Sequence, residues 1–216
     1  MTDGLINPDW PAPANIAAGT TTRSAAEDSL PDGTRFLHQV HGATVVSADV
    51  VRRSAVPVDA DAVCGIEAGD TCAVRTADCL PVLFCTATGD RVAAAHAGWR
   101  GLAAGVLENT VAAMRVPASD LMAWMGPAIS QPNFEVGDEV RAAFVANDAA
   151  AEALFTRNER GRWQADLYGL ARQRLHQCGV EAIYGGGWCT YADEKRFYSY
   201  RRASDTGRMV SFVALK

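Results

Sequence analysis

Three blocks of the sequence carry side chains that can bind a transition metal. The first contains His38 and His41, the second contains Cys79, and the third contains His96. Zinc prefers thiolate and imidazole ligands, and catalytic zinc sites provide three protein ligands while leaving a fourth position open. Because the blocks are too far apart for one loop, the ends of neighbouring strands would have to bring them together.

The same residues allow other interpretations. Cys79 and His96 could instead form a nucleophilic pair in which the imidazole lowers the pKa of the thiol. Side chains alternate along a strand, so only one of His38 and His41 is expected to point inward, and the spacing does not choose between them. A metal-binding module without catalytic activity would follow if Cys189 or His38 closed the fourth position.

Residues suited to anion binding lie beside the metal ligands. A helix is expected to begin soon after His96 and Gly98, where backbone N–H groups favour an anion. Arg100 could add a bidentate contact with phosphate or carboxylate.

A second cluster lies near the end of the chain. Three glycines at 185–187 are followed by an aromatic run that contains Tyr198 and ends with Arg201 and Arg202. Such residues could stack on a planar ring and bind oxyanions. The alternative is a turn followed by an aromatic-rich strand whose arginines pair with surface carboxylates.

The patterning predicts one mixed α/β domain over residues 1–216, with strands and helices in layers. Residues 1–35 read as an extended lead-in with one edge strand, and residues 147–161 as a short helix or a mobile crossover. Strands are predicted at 44–51, 71–76, 81–86, 91–95, 121–125, 180–184 and 209–215. Helices are predicted at 103–114, 136–144 and 166–179.

The composition of the chain indicates which classes of partner and which cellular location to expect. The formal net charge is −5, and the basic residues form no long run, so no nucleic-acid partner is expected. No secretory signal and no apolar run of about 20 residues is visible, which predicts a cytoplasmic protein without a membrane partner. The six cysteines form no CxxC pair, and most are expected to be thiols. Small molecules are the expected partners.

Taken in order, the motifs resemble a known family. They lie at residues 39–42, 76–81, 96–101, 126–129, 134–137, 197–202 and 206–208. This ordered set is similar to the multicopper polyphenol oxidase (laccase-like) family, also called the purine nucleoside phosphorylase family of the YfiH, YlmD and FAMIN type. The resemblance spans nearly the whole chain.

The resemblance implies a layered α/β domain with one zinc ion held by His41, Cys79 and His96, and so favours His41 over His38. It implies phosphorolysis of adenosine, inosine, guanosine and methylthioadenosine, with adenosine deamination as a further activity. Some bacterial members are described instead as peptidoglycan editing factors that remove L-serine from a muramyl precursor. Copper is not expected, because a multicopper oxidase needs more histidines than the four present.

The residues themselves are compatible with this chemistry. Arg100, Arg201 and Arg202 would neutralise phosphate, and Phe197, Tyr198 or Trp188 would stack on the base. For deamination or amide hydrolysis, Asp78 or Asp61 would carry a proton, and Asp78 could equally orient a metal ligand.

The chain also departs from the family pattern. Only residues 24–37 separate Arg23 from His38, where family members have a longer insert, so a more open site is expected. Phe134 stands where a tyrosine is common, which removes a hydroxyl.

Overall fold

The protein is built from short strands and helices that pack in layers. A computed structural model describes residues 4–26 and 29–216. In these ranges the strands are β1 (Leu5–Ile6), β2 (Ile16–Thr21), β3 (Val45–Ser47), β4 (Ala62–Gly65), β5 (Thr71–Thr76), β6 (Leu80–Thr86), β7 (Val92–Ala97), β8 (Leu121–Met125), β9 (Glu135–Val136), β10 (Phe155–Arg157), β11 (Trp163–Ala165), β12 (Ala182–Gly185) and β13 (Met209–Leu215). The helices are α1 (Ala48–Arg53), α2 (Trp99–Ala103), α3 (Val106–Met114), α4 (Asp138–Val145) and α5 (Leu167–Gln177).

The central layer is a six-stranded mixed sheet with the order β12-β8-β6-β7-β4-β3. Strands β6 and β7 pair antiparallel, whereas β12 pairs parallel with β8 and β3 pairs parallel with β4. This arrangement confirms the predicted mixed α/β architecture.

Both faces of β6 are buried, which explains its nearly continuous apolar sequence. Leu80, Val82 and Phe84 share one hydrophobic cluster with α3, α4 and α5. Leu83 and Cys85 point the other way and pack with residues of β5 and β13. Burying each large apolar side chain contributes about 1.5–3 kcal/mol, so this strand fixes the layers to each other.

A four-stranded antiparallel sheet of order β1-β2-β13-β5 covers the second face. A small three-stranded sheet of order β10-β11-β9 lies apart from it. No helix in the part of the chain that the structure describes is both long enough and apolar enough to cross a bilayer.

Several predicted elements are wrong in detail. The strand predicted at 44–51 ends at Ser47, because the Ser47 hydroxyl accepts a hydrogen bond from the backbone N–H of Val50 at 3.3 Å and caps α1. The helix predicted at 103–114 is divided into α2 and α3 by Gly105, whose φ is 92°. Residues 135–136 pair in β9, so the helix predicted from 136 begins at Asp138.

Strand β1 is an edge strand of its sheet, as predicted for residues 1–35, but a second strand, β2, also forms and lies between β1 and β13. Residues 149–154 form a short 3-10 helix, one of the two predicted alternatives, which leads into β10. Residues 197–202 form no strand, because this segment wraps around buried polar side chains instead of pairing with a neighbour.

Candidate metal centre and its cavity

His41, Cys79 and His96 meet at one end of the central sheet. Cys79 directly precedes β6, and the antiparallel register with β7 places Pro81 opposite His96. The ligand atoms of the three side chains all lie within 4.8 Å of one another. In the described ranges this is the one group of three or more His, Cys, Asp or Glu that could hold a metal ion.

Asp61 orients both histidines of the group. It directly precedes β4, where Ala62 pairs with Ala95, and its side chain is fully buried. Its Oδ1 accepts hydrogen bonds from His96 Nδ1 at 2.7 Å and from the His41 backbone N–H at 3.0 Å. Because a carboxylate only accepts, His96 Nδ1 donates and its Nε2 lone pair is left for a metal.

The loop that carries His41 is held by the same carboxylate. Oδ2 of Asp61 accepts hydrogen bonds from the backbone N–H groups of Gly42 at 2.6 Å and Val40 at 3.2 Å. His41 itself has a φ of 60°, a left-handed conformation that costs free energy outside glycine. Burial raises the pKa of the Asp61 carboxyl, but its hydrogen bonds with His96 and the loop lower it below the ordinary value.

Charge within the group favours a metal-binding thiolate. Burial raises the pKa of the Cys79 thiol, but hydrogen bonds with His41 and His96 outweigh it and lower the pKa to about 6. Burial lowers the pKa of His96, whereas Asp61 and Cys79 raise it to about 9. A nucleophilic pair would need only these two residues. The convergence of a third donor, His41, fits a metal better.

Gly98 leaves the space next to the ligands open. A Cβ atom at this position would lie 3.0 Å from Cys79 Sγ, 3.2 Å from His41 Cδ2 and 3.6 Å from His96 Nε2. Its φ of −63° is allowed for any residue, so the backbone does not require glycine here. The missing side chain is what matters, and two imidazoles, one thiolate and this space fit a zinc ion.

Replacing Gly98 with alanine is therefore expected to weaken metal binding without removing a ligand. The added methyl group would push against the Cys79 sulfur, and we expect the affinity for zinc to fall by about tenfold or more, comparable to the loss of an orienting contact. Competition with a chromophoric chelator would measure the affinity. The thermal unfolding temperatures of the native protein and the Gly98→Ala variant, both without metal, should differ little. An unchanged affinity of the variant for zinc would contradict this description of the centre.

The three ligands line a cavity of about 820 Å³, a size typical of small-molecule sites. His41 is exposed to it, so the group has an open side. The apolar residues of the lining are Ala77, Trp99, Ile129, Phe134 and Leu167. The other residues of the lining are His38, Gln39, Arg75, Thr76, Asp78, Arg100, Tyr200, Arg201, Thr206 and Arg208.

Two of the predicted anion-binding arginines line this cavity. The guanidinium of Arg100 lies 4.6 Å from the ring centroid of Trp99. Arg201 donates a hydrogen bond to the Glu135 carbonyl at 3.0 Å and lies 5.6 Å from the ring centroid of Phe134. Both cationic groups are held against aromatic faces at the cavity wall.

Arg202 and Tyr198 lie elsewhere. The guanidinium of Arg202 donates to the backbone carbonyls of Thr190, Tyr191 and Phe197, at 2.7 to 3.0 Å, and is not in the cavity lining. Tyr198 also lies outside the lining, with the Arg23 guanidinium 5.1 Å from its ring centroid. In the structure both side chains contact other residues around the loop between β12 and β13 instead of the cavity.

Asp78 is buried beside Cys79 and has no free oxygen. Oδ1 accepts from the Thr190 hydroxyl at 2.6 Å, and Oδ2 accepts from the Ser199 hydroxyl at 3.1 Å and the Arg201 backbone N–H at 2.7 Å. Its φ of 91° is unusual for a residue with a side chain. The carboxylate thus ties the segment before β6 to the loop that presents Arg201.

Neither residue considered as a fourth ligand belongs to the metal group. His38 lines the cavity but is largely exposed and bonds Asp59 at 2.7 Å. Cys189 Sγ accepts hydrogen bonds from the backbone N–H of Ser130 at 3.5 Å and from Asn133 Nδ2 at 3.3 Å, outside the lining.

Sequence reasoning missed several residues of the cavity. Gln39 exchanges two hydrogen bonds with the Arg75 backbone, at 2.8 and 2.9 Å, and both residues line the wall. Tyr200 and Arg208 lie in the aromatic and arginine-rich cluster, so that cluster was a usable signal. Nothing in the sequence around Arg75 distinguishes it from an ordinary exposed strand residue.

A family model described as multi-copper polyphenol oxidoreductase laccase matches residues 12–216. The chain belongs to this laccase-like family. The family resemblance inferred from the motifs is thereby confirmed.

Relatives within the laccase-like family are named as purine nucleoside phosphorylases. One from Pseudomonas aeruginosa is 49% identical, and YfiH from Escherichia coli is 44% identical, each alignment covering 98% of both chains. Among solved structures, a Neisseria meningitidis protein superimposes with a TM-score of 0.91 at 42% identity, covering 99% of both chains. YlmD from Geobacillus stearothermophilus superimposes with a TM-score of 0.88 at 26% identity, covering 99% of this chain and 96% of its own.

This laccase-like chain is shorter than its aligned relatives. The alignment with the Pseudomonas aeruginosa protein runs over 241 positions, whereas the chain has 216 residues. The relative therefore has residues without a counterpart in this chain.

Proposed function

We propose that the protein is a zinc-dependent purine nucleoside phosphorylase that acts on adenosine, inosine, guanosine and methylthioadenosine. The observation that carries the proposal is the three-donor group, open to a cavity that holds Arg100 and Arg201. A relative with this activity in its name is 49% identical over 98% of the chain. The thiols of all six cysteines are free, which fits a cytoplasmic location.

One zinc ion per chain would be held by His41, Cys79 and His96. When bound, it would supply a Lewis acid that polarises an oxygen atom of a substrate, of phosphate or of water. Asp61 would keep both histidines in the metal-binding orientation.

Different residues of the cavity bind the phosphate and the purine in this proposal. Arg100 and Arg201 bind phosphate, because guanidinium groups match its oxygen atoms. Ile129, Phe134 and Leu167 provide an apolar surface for the purine and keep water away from it. A phosphate oxygen forms a bond to C1′ of the ribose while the C1′–N9 bond breaks. The electron pair leaves with the purine, which takes up a proton, and the products are base and ribose 1-phosphate.

In this proposal Asp78 positions Arg201 and carries no proton, since both of its oxygen atoms are engaged. Asp78→Asn exchanges one accepting oxygen for a donor and so disturbs the bonds to Ser199 and Arg201. We expect the KM for phosphate to rise by about tenfold and kcat to fall by less than about threefold. Steady-state kinetics at varied phosphate would measure both.

Asp90→Asn is the matched control, because Asp90 also accepts hydrogen bonds from two threonine hydroxyls, at 2.5 and 2.6 Å, but lies outside the cavity. It should leave both constants unchanged. A large fall in kcat for Asp78→Asn with an unchanged KM would instead assign Asp78 to proton transfer.

Adenosine deamination is the second activity that we propose for this cavity. Three protein donors with an open side are the arrangement of hydrolytic zinc sites. Ammonia release from adenosine in phosphate-free buffer would measure it.

The proposal is tested by incubating zinc-loaded protein with inosine, with and without inorganic phosphate. We expect hypoxanthine and ribose 1-phosphate to form together, and only when phosphate is present. Phosphate-independent release of hypoxanthine with free ribose would identify a hydrolase. No release from any of the four nucleosides would overturn the assignment.

A further inference from the structure

The cavity is basic although the chain as a whole is acidic, with a formal net charge of −5. Four arginines line it, namely Arg75, Arg100, Arg201 and Arg208. Asp78 is the one carboxylate among the described lining residues, and three hydrogen-bond donors already satisfy it. None of the four arginines forms an ion pair within residues 4–26 and 29–216. The positive charge is therefore available to a ligand.

Arg75 and Arg208 lie at the paired ends of β5 and β13. Arg75 is on β5, and Arg208 directly precedes β13, whose Met209 pairs with Thr76. The Arg75 backbone is held by Gln39, and its guanidinium lies 5.0 Å from the ring centroid of Phe36. Arg208 donates to the carbonyls of its own loop at 2.7 and 3.0 Å. Both cations are thus anchored on the cavity wall.

Thr76 lies between these two arginines and adds an unused hydroxyl. The residue is 1% exposed and lines the cavity, and its Oγ1 has no hydrogen-bond partner in the described part of the chain. Buried hydroxyl groups are ordinarily hydrogen-bonded, and leaving one without a partner costs about 1–3 kcal/mol. Because Thr76 lines the cavity, rotation of its side chain would bring this hydroxyl to a bound ligand.

We propose that Arg75, Thr76 and Arg208 form a second anion subsite that binds the 5′-phosphate of purine nucleoside monophosphates. The inference rests on the proposed function, in which one inorganic phosphate already occupies Arg100 and Arg201. The second arginine pair, at the paired ends of β5 and β13, then serves a second anion, carried by the nucleoside itself. In phosphorolysis of such a substrate the C1′–N9 bond breaks, a phosphate oxygen bonds to C1′, and the products are base and ribose 1,5-bisphosphate.

The test is a set of calorimetric titrations with inosine, inosine 5′-monophosphate and inorganic phosphate. We expect the monophosphate to bind about tenfold more tightly than inosine, as charge-assisted hydrogen bonds to two arginines allow. In the variant with Arg75→Gln and Arg208→Gln this advantage should disappear. Thr76→Val, which keeps the shape of the side chain, should remove part of it. Arg115→Gln, at an exposed arginine outside the cavity, is the control for loss of a surface arginine and should keep the full advantage.

The outcomes separate this subsite from the proposed function. Equal affinity for inosine and its monophosphate in the native protein would overturn the subsite, even if inosine is phosphorolysed. Loss of inorganic phosphate binding in the double variant, without any advantage for the monophosphate, would reassign the subsite to free phosphate and also overturn the inference. Tight binding of the monophosphate that depends on Arg75 and Arg208, in a protein that does not cleave inosine, would support the subsite and reject the phosphorylase.

Discussion

Cys79→Ala is expected to abolish stoichiometric zinc binding and to lower inosine phosphorolysis by about a thousandfold, or about 4 kcal/mol of transition-state stabilisation. The Cys79 thiol is the single sulfur donor of the group, and its lowered pKa of about 6 makes the thiolate available at neutral pH. Removing it leaves two imidazoles, which hold zinc much more weakly. Metal analysis and the phosphorolysis assay would be carried out on the same preparation.

Cys178→Ala is the control for the loss of a thiol. Cys178 directly follows α5 as its C-cap residue and lies outside the cavity. Its thiol pKa is raised by burial, so it is no competing site for a soft metal. Zinc content and activity should match the native protein. If Cys79→Ala kept its full activity, the zinc mechanism would be wrong.

Asp61→Ala is expected to have the second largest effect, on both stability and metal affinity. The substitution removes the acceptor of four hydrogen bonds, at 2.6 to 3.2 Å, from a fully buried position. Three backbone N–H groups and His96 Nδ1 lose their partner, and the left-handed loop at His41 loses its support. We expect the free energy of unfolding to fall by about 3–5 kcal/mol. Zinc affinity should fall by about 10- to 100-fold, the usual cost of losing a residue that orients a ligand.

Asp59→Ala provides a matched control in the same region. Asp59 also contacts a histidine of the cavity at 2.7 Å, but the side chains of His38 and Asp59 are 67% and 73% exposed. An exposed pair of this kind contributes about 0–1 kcal/mol. Chemical denaturation of the two metal-free variants should therefore differ by several kcal/mol, whereas equal losses would show that Asp61 does not support the centre.

The sequence predicted the group of His41, Cys79 and His96 because the chemistry of these side chains is local. Two imidazoles and a thiol are rare enough to stand out, and the apolar runs around Cys79 and His96 predict strands whose ends can meet. Strand alternation could not predict His41 rather than His38 as the metal-binding residue, because His41 does not lie in a strand. It lies in a loop, has a left-handed backbone conformation and donates its backbone N–H to Asp61. Only the family resemblance made that choice.

The remaining cavity residues depend on tertiary contacts that no local pattern encodes. Arg201 and Arg202 are neighbours in the same motif. Arg201 lines the cavity, whereas Arg202 donates hydrogen bonds to backbone carbonyls of its own loop. Asp78 fixes that difference through a hydrogen bond to the Arg201 backbone across 123 residues of sequence. The predicted strand at 44–51 failed for a similar reason. The Ser47 hydroxyl caps a helix that begins at Ala48, although the β-branched residues of this segment favour a strand.

The central claim is that one metal ion, bound by His41, Cys79 and His96, is required for phosphorolysis. The most direct measurement is a titration of metal-depleted protein with zinc, in which inosine cleavage is followed after each addition at constant phosphate. Activity should begin near zero, rise in proportion to the added zinc and reach a plateau at one equivalent per chain. Full activity before any zinc is added, or no activity at the plateau, would contradict the account.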